Sequence, residues 1–517
     1  VASLGGTKVG SLGCRPLSQP GSVTVLSREC RRGRLTRLAS LKVGAWALRD
    51  PTCVCSDAFW SRSSEVVALS RRSGRVSATR SEKRVQFGKN EVLSPAPSSP
   101  RRRGAPRVPP KVLVLSTDPI GPEMPGPAIR AWQIAAVLGQ HLEVVLASTV
   151  AVGGEHPNAE LRLAYGPALR EMVQAADVCF APSALVYMAD EIRRAGSPVA
   201  VDIYDPYHLE NLEMDATGPG EHDYAVARQA GILNSALRRG DFFTCASERQ
   251  RDFWLGSLAA LGRVNPLNYA ADPLLRKLVA VVPFGLPSQP PARQGTGVRG
   301  ALPAIGPSDP VVLWGGGVYN WLDPSCVVRA VDRLRERWPG VRLVFLGMQH
   351  PNPATPPMRV AGELRALSDR LGLTGKHVFF NSGWVPYERR ADFLLDADLA
   401  VSAHLDHLET RYSFRSRVLD YLWARLPMVL TSGDVLADEV VRAGVGRVVR
   451  PGDEVAMEDA FDQLLRHRPP KAAFDALVEQ HTWERAAGPL LEFCLDPQRA
   501  PDLMVERPSP DVAAGRN

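Results

Sequence analysis

The stretch from Ala400 to Thr431 contains the side chains best suited to chemistry in this 517-residue sequence. It reads AVSAHLDHLETRYSFRSRVLDYLWARLPMVLT, with charged and aromatic residues between two short apolar runs. Arg411, Arg415 and Arg417 crowd the start of a predicted helix, although each cation there opposes the helix dipole by about 0.3–1 kcal/mol. An anionic ligand such as a phosphate would explain them. Asp420, an acid within the apolar segment VLDYLWA, could accept hydrogen bonds from the two hydroxyls of a ribose.

A predicted strand, helix, strand unit positions these residues. Leu399 to Ser402 and Met428 to Thr431 are short apolar runs of the kind that form buried parallel strands. The sequence between them predicts a helix from Tyr412 to Ala424. The N-terminus of this helix would lie at the carboxyl edge of the sheet, where open α/β sheets bind their ligands.

The order of these parts resembles the donor site of family 4 glycosyltransferases, which are retaining, nucleotide-sugar-dependent enzymes with the GT-B fold. The family signature E-x7-E ends in E-A-x-A-x-G-x-P-V-V, and the segment Asp420 to Val429, DYLWARLPMV, matches its second half. Arg417 takes the basic position of the S-K-x-x-E variant. Two positions depart from the pattern. Tyr412 stands where the first acid would be, with Glu409 as the nearest carboxylate, and Arg425 replaces the usual glycine.

The resemblance implies two Rossmann-like, doubly wound α/β domains that face a cleft. It also implies a nucleotide sugar as donor substrate, with no cofactor and no metal ion required. The side chains expected to stabilise the leaving diphosphate or contact the reacting sugar are Arg417, Arg415 and Glu409. The expected donor-binding residues are Gly315, Gly316, Gly317, Tyr412, Ser413, Phe414 and Asp420.

The segment WGGGVYNWLDP, which begins at Trp314, has the strand, turn, helix layout of a ligand site. Gly315, Gly316 and Gly317 carry no side chains, so a ligand could approach the backbone closely. The segment has no Arg or Lys before Arg329. The arginines of the later stretch would therefore have to neutralise the diphosphate.

The acceptor side is expected in the first domain. Gly126 and Arg130 follow a strand in DPIGPEMPGPAIRAW, which resembles the first loop of family 4 enzymes, although an ordinary βα turn has the same pattern. Asp205, in the acidic segment VDIYDPYHLENLE, is the candidate contact to an acceptor hydroxyl; alternatively these acids cap the next helix. His404 and His407 form H-x-x-H on an irregular loop, a poor zinc pattern.

Composition separates a basic leader from a mildly acidic remainder. The first 110 residues hold 21 Lys and Arg against 6 Asp and Glu, so this segment carries +15 while the whole chain carries +7. The leader is rich in Ser, Arg, Pro and Gly without hydrophobic period, which predicts disorder rather than nucleic-acid binding. The eight cysteines fit neither a disulfide framework nor a zinc spacing. No apolar run reaches the roughly 18 residues of a membrane span. A cytoplasmic location is expected, with peripheral contact at the inner face of the membrane as an option.

From Lys111 onward, strands and helices alternate, which predicts parallel sheets. We therefore expect a disordered basic leader (1–109), an N-terminal acceptor-side domain (110–287), a linker (288–308), a C-terminal donor-side domain (309–480), a helix that crosses back (481–496) and a disordered tail (497–517). A further hypothesis is that the leader is not native and that translation begins near Val108.

The resulting hypothesis is a retaining glycosyltransferase that moves a sugar from a nucleotide sugar to a glycan, lipid-linked or small-molecule acceptor in cell-surface polysaccharide or glycoconjugate synthesis. Tyr412 in place of an acid leaves a second hypothesis open, a catalytically silent relative or scaffold that only binds the sugar nucleotide. A sugar-nucleotide epimerase on the same fold is the third.

Overall fold

The computed structural model of the chain describes residues 109–188, 190–214 and 220–505. Nearly all of the expected leader therefore lies outside the described residues. The described chain forms two parallel sheets with helices on both faces, as the alternating pattern predicts.

The first sheet has seven strands in the spatial order β3-β2-β1-β4-β5-β6-β7, and the second has six in the order β10-β9-β8-β11-β12-β13. Every paired register in both sheets is parallel. Strands β1 to β7 are Lys111–Ser116, Glu143–Ser148, Glu160–Leu163, Val178–Pro182, Val199–Asp202, Phe242–Cys245 and Val279–Val281. Strands β8 to β13 are Val311–Gly317, Arg342–Gly347, Val378–Phe380, Leu399–Ser402, Met428–Thr431 and Gly446–Val449.

The helices of the described chain cover both faces of these sheets. Numbered α1 to α19, they are Gly126–Leu138, Pro167–Ala175, Ser183–Met188, Asp190–Ala195, Tyr207–Glu210, Glu221–Arg239, Glu248–Ala260, Pro266–Ala271, Val298–Ala301, Pro324–Leu334, Arg359–Arg370, Arg390–Leu394, Leu408–Tyr412, Arg417–Trp423, Ala437–Ala443, Glu454–Arg466, Asp475–Gln480, Trp483–Ala486 and Gly488–Leu495. Short 3-10 turns occupy Asn211–Glu213, Tyr387–Arg389, Lys471–Phe474 and Pro501–Leu503.

Burial on both faces explains why the strands are almost continuously apolar. Along β1, Val112 and Val114 pack into a core that includes residues of both domains, whereas Leu113 and Leu115 pack into the outer core of the first domain. A third core lies on the outer face of the second sheet. The carboxyl ends of β1 and β8, each the third strand in the order of its sheet, reach the cleft between the domains.

The segment 288–308, which the sequence predicts as a linker, is anchored to the second domain. The backbone N–H groups of Gln294 and Gly295 donate to Asp392 Oδ1 at 2.6 and 3.0 Å. Arg299 pairs with Asp398 at 2.7 Å, and Val298 is fully buried. The binding partners of this segment lie about a hundred residues away in the sequence, so its own composition does not reveal the anchoring.

The chain crosses between the domains a second time beside this first crossing. The backbone N–H of Leu286 donates to the carbonyl of His481 at 2.7 Å, and the N–H of Trp483 donates to the carbonyl of Leu286 at 3.1 Å. Gly285 is needed here, because a Cβ would lie 2.6 Å from the backbone of Trp483. Helix α19 then packs on the first domain, where Phe493 stacks on Phe242 with ring centroids 4.6 Å apart.

The expected disorder beyond Asp496 is wrong for residues 497–505. Asp502 is buried and accepts from Arg263 Nε at 2.7 Å, and Arg499 pairs with Asp241 at 2.8 Å. These ion pairs fasten the segment to the first domain although its composition resembles that of a disordered tail. Residues 506–517 lie outside the described chain.

The cysteines of the described chain are buried free thiols, namely Cys179, Cys245, Cys326 and Cys494. Burial raises the pKa of Cys179 and Cys245 to about 12, so these thiols stay protonated and act as small core residues. None of the helices in the described part of the chain is long and apolar enough to span a membrane.

Candidate functional site in the cleft between the domains

The carboxyl ends of the two sheets face each other across a cleft that several side chains bridge. Gln250, at the start of α7, is fully buried, and its Nε2 donates to the carbonyls of Tyr204 and Tyr412 at 2.7 Å each. Asn352, after β9, donates to Asp118 Oδ1 of the first domain at 2.7 Å. The candidate residues of both domains are therefore held close to one another.

The glycine run at the end of β8 forms one wall of the cleft. Gly316 adopts a positive φ of 75°, and a Cβ there would meet nothing within 4 Å, so this backbone is open to a ligand. The N–H of Gly315 donates to the hydroxyl of Tyr421 at 2.9 Å, and that hydroxyl donates to the carbonyl of Val401 at 3.0 Å. Strand β8, α14 and β11 thus fix the run in place.

Arg417 is the cationic group nearest to this glycine wall. Its Nη2 donates to the carbonyl of Gly317 at 2.9 Å, and its guanidinium lies 4.9 Å from the ring centroid of Trp314. Its Nη1 is buried and has no acceptor among the described residues. Arg417 shares a cavity with Gly315 and Asp420. Because buried N–H groups rarely lack partners, this one is a candidate donor to a ligand oxygen.

Asp420 lines the same cavity and is held by a residue that the sequence reasoning did not identify. Arg390 Nε donates to Asp420 Oδ1 at 3.1 Å, and Arg390 Nη1 donates to the carbonyl of Tyr387 at 2.8 Å. The Arg390 guanidinium lies 3.7 Å from the ring centroid of Tyr387 and 4.5 Å from that of Trp423. Cation–π contacts of this kind fix the guanidinium, and with it the Asp420 carboxylate.

Tyr387 also connects this part of the cavity with the first domain. Its N–H donates to the carbonyl of Pro122 at 2.8 Å, and its hydroxyl accepts from Gln133 of α1 at 3.0 Å. Nearby, Trp384 Nε1 donates to the carbonyl of Met124 at 3.2 Å. The position of this wall of the cavity therefore depends on contacts between the two domains.

Arg415 and Glu409 form a buried ion pair with each other. Arg415 Nη1 and Nη2 donate to the two carboxylate oxygens of Glu409 at 2.9 and 2.6 Å. The side chains are 8% and 1% exposed, and Arg415 Nε has no acceptor among the described residues. The pairing leaves each group little free charge, so their predicted contacts with substrate stay predictions.

Three predicted donor-binding residues lie at the end of α13 and in the bend before α14. The single helix expected from Tyr412 is interrupted here, because Ser413 is extended and α14 begins only at Arg417. Tyr412 packs its ring 4.7 Å from that of Phe253 in the first domain. Ser413 Oγ donates to the carbonyl of Thr410, and Phe414 packs against the shared core. Their donor contacts remain untested.

On the acceptor side, Asp205 lies at the start of a short acidic segment that faces the second domain. Burial, reinforced by the charges of Glu409, Asp202 and Asp118, raises the pKa of Asp205 to about 7. Burial and the nearby Asp205 carboxylate raise the pKa of Glu210 as well, and the two carboxyl groups are within hydrogen-bonding reach. The pair therefore holds a proton near neutral pH, which suits it to bind a hydroxyl.

Arg130 and Gly126 differ in how far they reach the cleft. The Arg130 guanidinium is 1% exposed and pairs bidentately with Asp202 at 2.7 and 3.0 Å. It also donates to the carbonyls of Val282 and Pro283, at 2.8 and 3.1 Å. These bonds give Arg130 a positioning role inside the first domain. Gly126 begins α1, and a Cβ there would meet nothing within 4 Å.

The two histidines of the loop after β11 are held by backbone groups. His404 is 1% exposed, and burial, aided by the charge of Arg415, lowers its pKa to about 3. His407 Nε2 lies 3.2 Å from the carbonyl of Trp321. Within residues 109–188, 190–214 and 220–505, no three His, Cys, Asp or Glu side chains are arranged to hold a metal ion.

Residues 309–467 match the family model described as glycosyl transferases group 1. The sequence matches none of the curated proteins. Among solved structures, sucrose-phosphate synthase from Thermosynechococcus elongatus is 15% identical, with a TM-score of 0.52 over 74% of this chain and 98% of that one. Anabaena HepE in complex with UDP and glucose is 14% identical, with a TM-score of 0.53 over 74% and 99%. Trehalose-6-phosphate synthase OtsA is 12% identical, with a TM-score of 0.53 over 75% and 100%.

Identities this low establish the fold, and the fold is the GT-B arrangement that the sequence predicted. The family match covers the domain that contains the glycine wall, Arg417 and Asp420. Together these findings make the chain a glycosyltransferase with the GT-B fold.

Proposed function

We propose that this chain is a retaining glycosyltransferase of family 4 that transfers a sugar from a nucleoside diphosphate sugar to a glycan, lipid-linked or small-molecule acceptor. The observation that carries the proposal is the buried, unpartnered Nη1 of Arg417 in a cavity with Gly315 and Asp420. A cation with a free N–H and an open glycine backbone complement a diphosphate, and a carboxylate complements the hydroxyls of a ribose.

The proposed donor is a uridine diphosphate sugar. Anabaena HepE, which has the same fold, is described in complexes with UDP and with UDP-glucose. In our proposal Arg417 binds the diphosphate, Gly315, Gly316 and Gly317 line its path, and Asp420 accepts from the ribose hydroxyls.

In the reaction that we propose, the acceptor hydroxyl attacks the anomeric carbon from the side of the leaving group, and the departing diphosphate takes its proton. The bond between the sugar and the diphosphate breaks as the new glycosidic bond forms, so the configuration is retained. Negative charge grows on the leaving phosphate, and in this proposal Arg417 stabilises it. The Arg415–Glu409 pair supports the sugar side, and Asp205 orients the acceptor hydroxyl. No metal ion takes part.

We also propose that the enzyme works in the cytoplasm, with peripheral contact at the inner membrane face when its acceptor is lipid-linked. A role in cell-surface polysaccharide or glycoconjugate synthesis would agree with such an acceptor. Separating the soluble and membrane fractions of cells that express the chain tests the location.

A panel of nucleotide sugars tests the activity. A ligand at 100 times its dissociation constant adds about 2.7 kcal/mol to the free energy of unfolding, which a thermal shift assay detects readily. Arg417→Ala, with its main phosphate contact removed, is the matched control. The expected result is stabilisation of the wild type by one donor class and slow release of the nucleotide diphosphate. The absence of any stabilisation across the panel would contradict the proposal.

The same panel separates the two alternatives. A catalytically silent relative, favoured by Tyr412 in place of an acid, would be stabilised by a donor but would release no nucleotide from it. An epimerase would interconvert two donors without an acceptor. Chromatography of the nucleotide products distinguishes these outcomes.

A further inference from the structure

Tyr319 occupies a fixed position beside the glycine wall, two residues after Gly317. Its ring lies so close to Gly317 that a Cβ there would be 2.6 Å from a ring carbon and 2.7 Å from the hydroxyl oxygen. The other face of the ring stacks on Trp321, with centroids 4.9 Å apart and planes 4° from parallel. A glycine at position 317 is therefore what allows the phenol to lie against the loop.

The hydroxyl of Tyr319 is within electrostatic range of the Arg417 cation and of acids in the first domain. Arg417 binds the carbonyl of Gly317, the residue against which the Tyr319 hydroxyl packs. Burial raises the pKa of Tyr319; Arg417 lowers it, and Glu210 and Asp118 raise it further. The phenol is therefore protonated at every physiological pH and can donate a hydrogen bond.

No structural role accounts for this hydroxyl. Unlike the Tyr421 hydroxyl, which bonds to Gly315 and Val401, it makes no hydrogen bond within the described residues. The stacking on Trp321 fixes the ring without help from the oxygen. The hydroxyl is left as a free donor beside Gly317, the residue whose carbonyl Arg417 binds.

We propose that Tyr319 is a further substrate-contacting residue, whose hydroxyl donates a hydrogen bond to the terminal phosphate of the nucleoside diphosphate beside Arg417. This inference rests on the proposed function. The glycine segment has no Arg or Lys before Arg329, so Arg417 alone cannot supply donors to every terminal oxygen. A neutral donor adds a contact without placing a second cation beside the first.

Paired titrations of diphosphates and monophosphates test this inference. UDP, GDP and ADP, and then UMP, GMP and AMP, are titrated calorimetrically into the wild type and into Tyr319→Phe, which keeps the ring and its stacking. A hydrogen bond to a charged phosphate corresponds to about ten- to hundredfold in affinity. We expect Tyr319→Phe to lose that factor for the diphosphate that the wild type binds, and less than twofold for the matching monophosphate.

The matched control is Tyr224→Phe, which removes a hydroxyl from a side chain that is 72% exposed on α6. It should bind both nucleotides as the wild type does. Unchanged diphosphate affinity in Tyr319→Phe would overturn the inference and leave the proposed function standing. An equal loss of affinity for the diphosphate and the monophosphate would do the same, because an equal loss indicates altered packing. Failure of the wild type to bind any of the diphosphates would overturn the inference together with the proposed function.

Discussion

Replacement of Arg417 by alanine should abolish most of the activity while leaving the fold intact. The side chain makes one hydrogen bond, to the carbonyl of Gly317, and one contact with the ring of Trp314. That carbonyl also accepts from Trp314 Nε1 at 3.1 Å, so it keeps a partner in the variant. The lost hydrogen bond and cation–π contact together cost about 1–3 kcal/mol of folding stability.

The proposed role predicts a larger catalytic effect, because Arg417 would then meet charge that develops only during reaction. Removing one such donor typically lowers turnover by about 10²–10³, which corresponds to roughly 2.7–4 kcal/mol. Arg417→Lys keeps the charge but loses the planar fork, so it should recover only part of the rate. With a donor identified from the panel, release of the nucleotide diphosphate gives kcat and KM, and urea unfolding gives the stability of each variant.

Two results would refute this reasoning. Turnover of Arg417→Ala within fivefold of the wild type would mean that the cation does not meet the leaving group. A loss of activity that comes with a loss of more than about 4 kcal/mol in unfolding free energy would mean that Arg417 mainly supports the fold. Arg425→Ala, which removes an arginine paired with Asp475 outside the cavity, is the matched control and should keep normal turnover.

Three more predictions concern neighbouring residues. Asp420→Asn should raise the KM for the donor with little change in kcat, and Arg390→Ala should have the same effect because it releases the Asp420 carboxylate. Equal donor KM values for the wild type and the variants in steady-state assays would argue against both predictions. The pKa of about 7 for Asp205, against an ordinary 3.8, means that the folded wild type loses stability as pH rises from about 4 to 7. Asp205→Asn should therefore gain stability relative to the wild type over that pH range. Urea unfolding midpoints at pH 5 and 8 measure the difference. Arg130→Ala should destabilise the fold by about 3–5 kcal/mol, because it leaves Asp202 buried without its cation; an unfolding midpoint close to that of the wild type, together with a raised acceptor KM, would instead favour a direct acceptor contact.

The strands that form the sheet cores could be predicted from sequence because each is a short apolar run between turns. Strand β3 escaped prediction, since its sequence ELRL lies at the sheet edge, is mostly exposed and lacks that run. The anchoring of 288–308 was equally invisible, because Asp392 and Asp398 reach it across a long separation in sequence. Local composition cannot report such contacts.

The candidate site likewise contains residues that local sequence patterns predict and residues that they do not. Arg417, Asp420 and the glycine run belong to local patterns, and the structure brings them to one cavity. Arg390 had no local signal, because its partners Tyr387, Trp423 and Asp420 come together only when the second domain folds. The sequence also could not indicate that Arg415 would be neutralised by Glu409, since Arg415 lies in the bend after α13, whose path depends on packing against the first domain.

The paired crossings at Leu286 and Trp483 limit how the two domains can move. A single connecting strand would let one domain swivel about its bonds in any direction. Two strands joined side by side by hydrogen bonds resist such twisting. The motion that they resist least is bending across the pair. Gly285 lies against the backbone of Trp483, so the two strands cannot readily slide past each other. Any opening and closing of the cleft should therefore follow this one direction, which would return Arg417 and Asp205 to the same alignment.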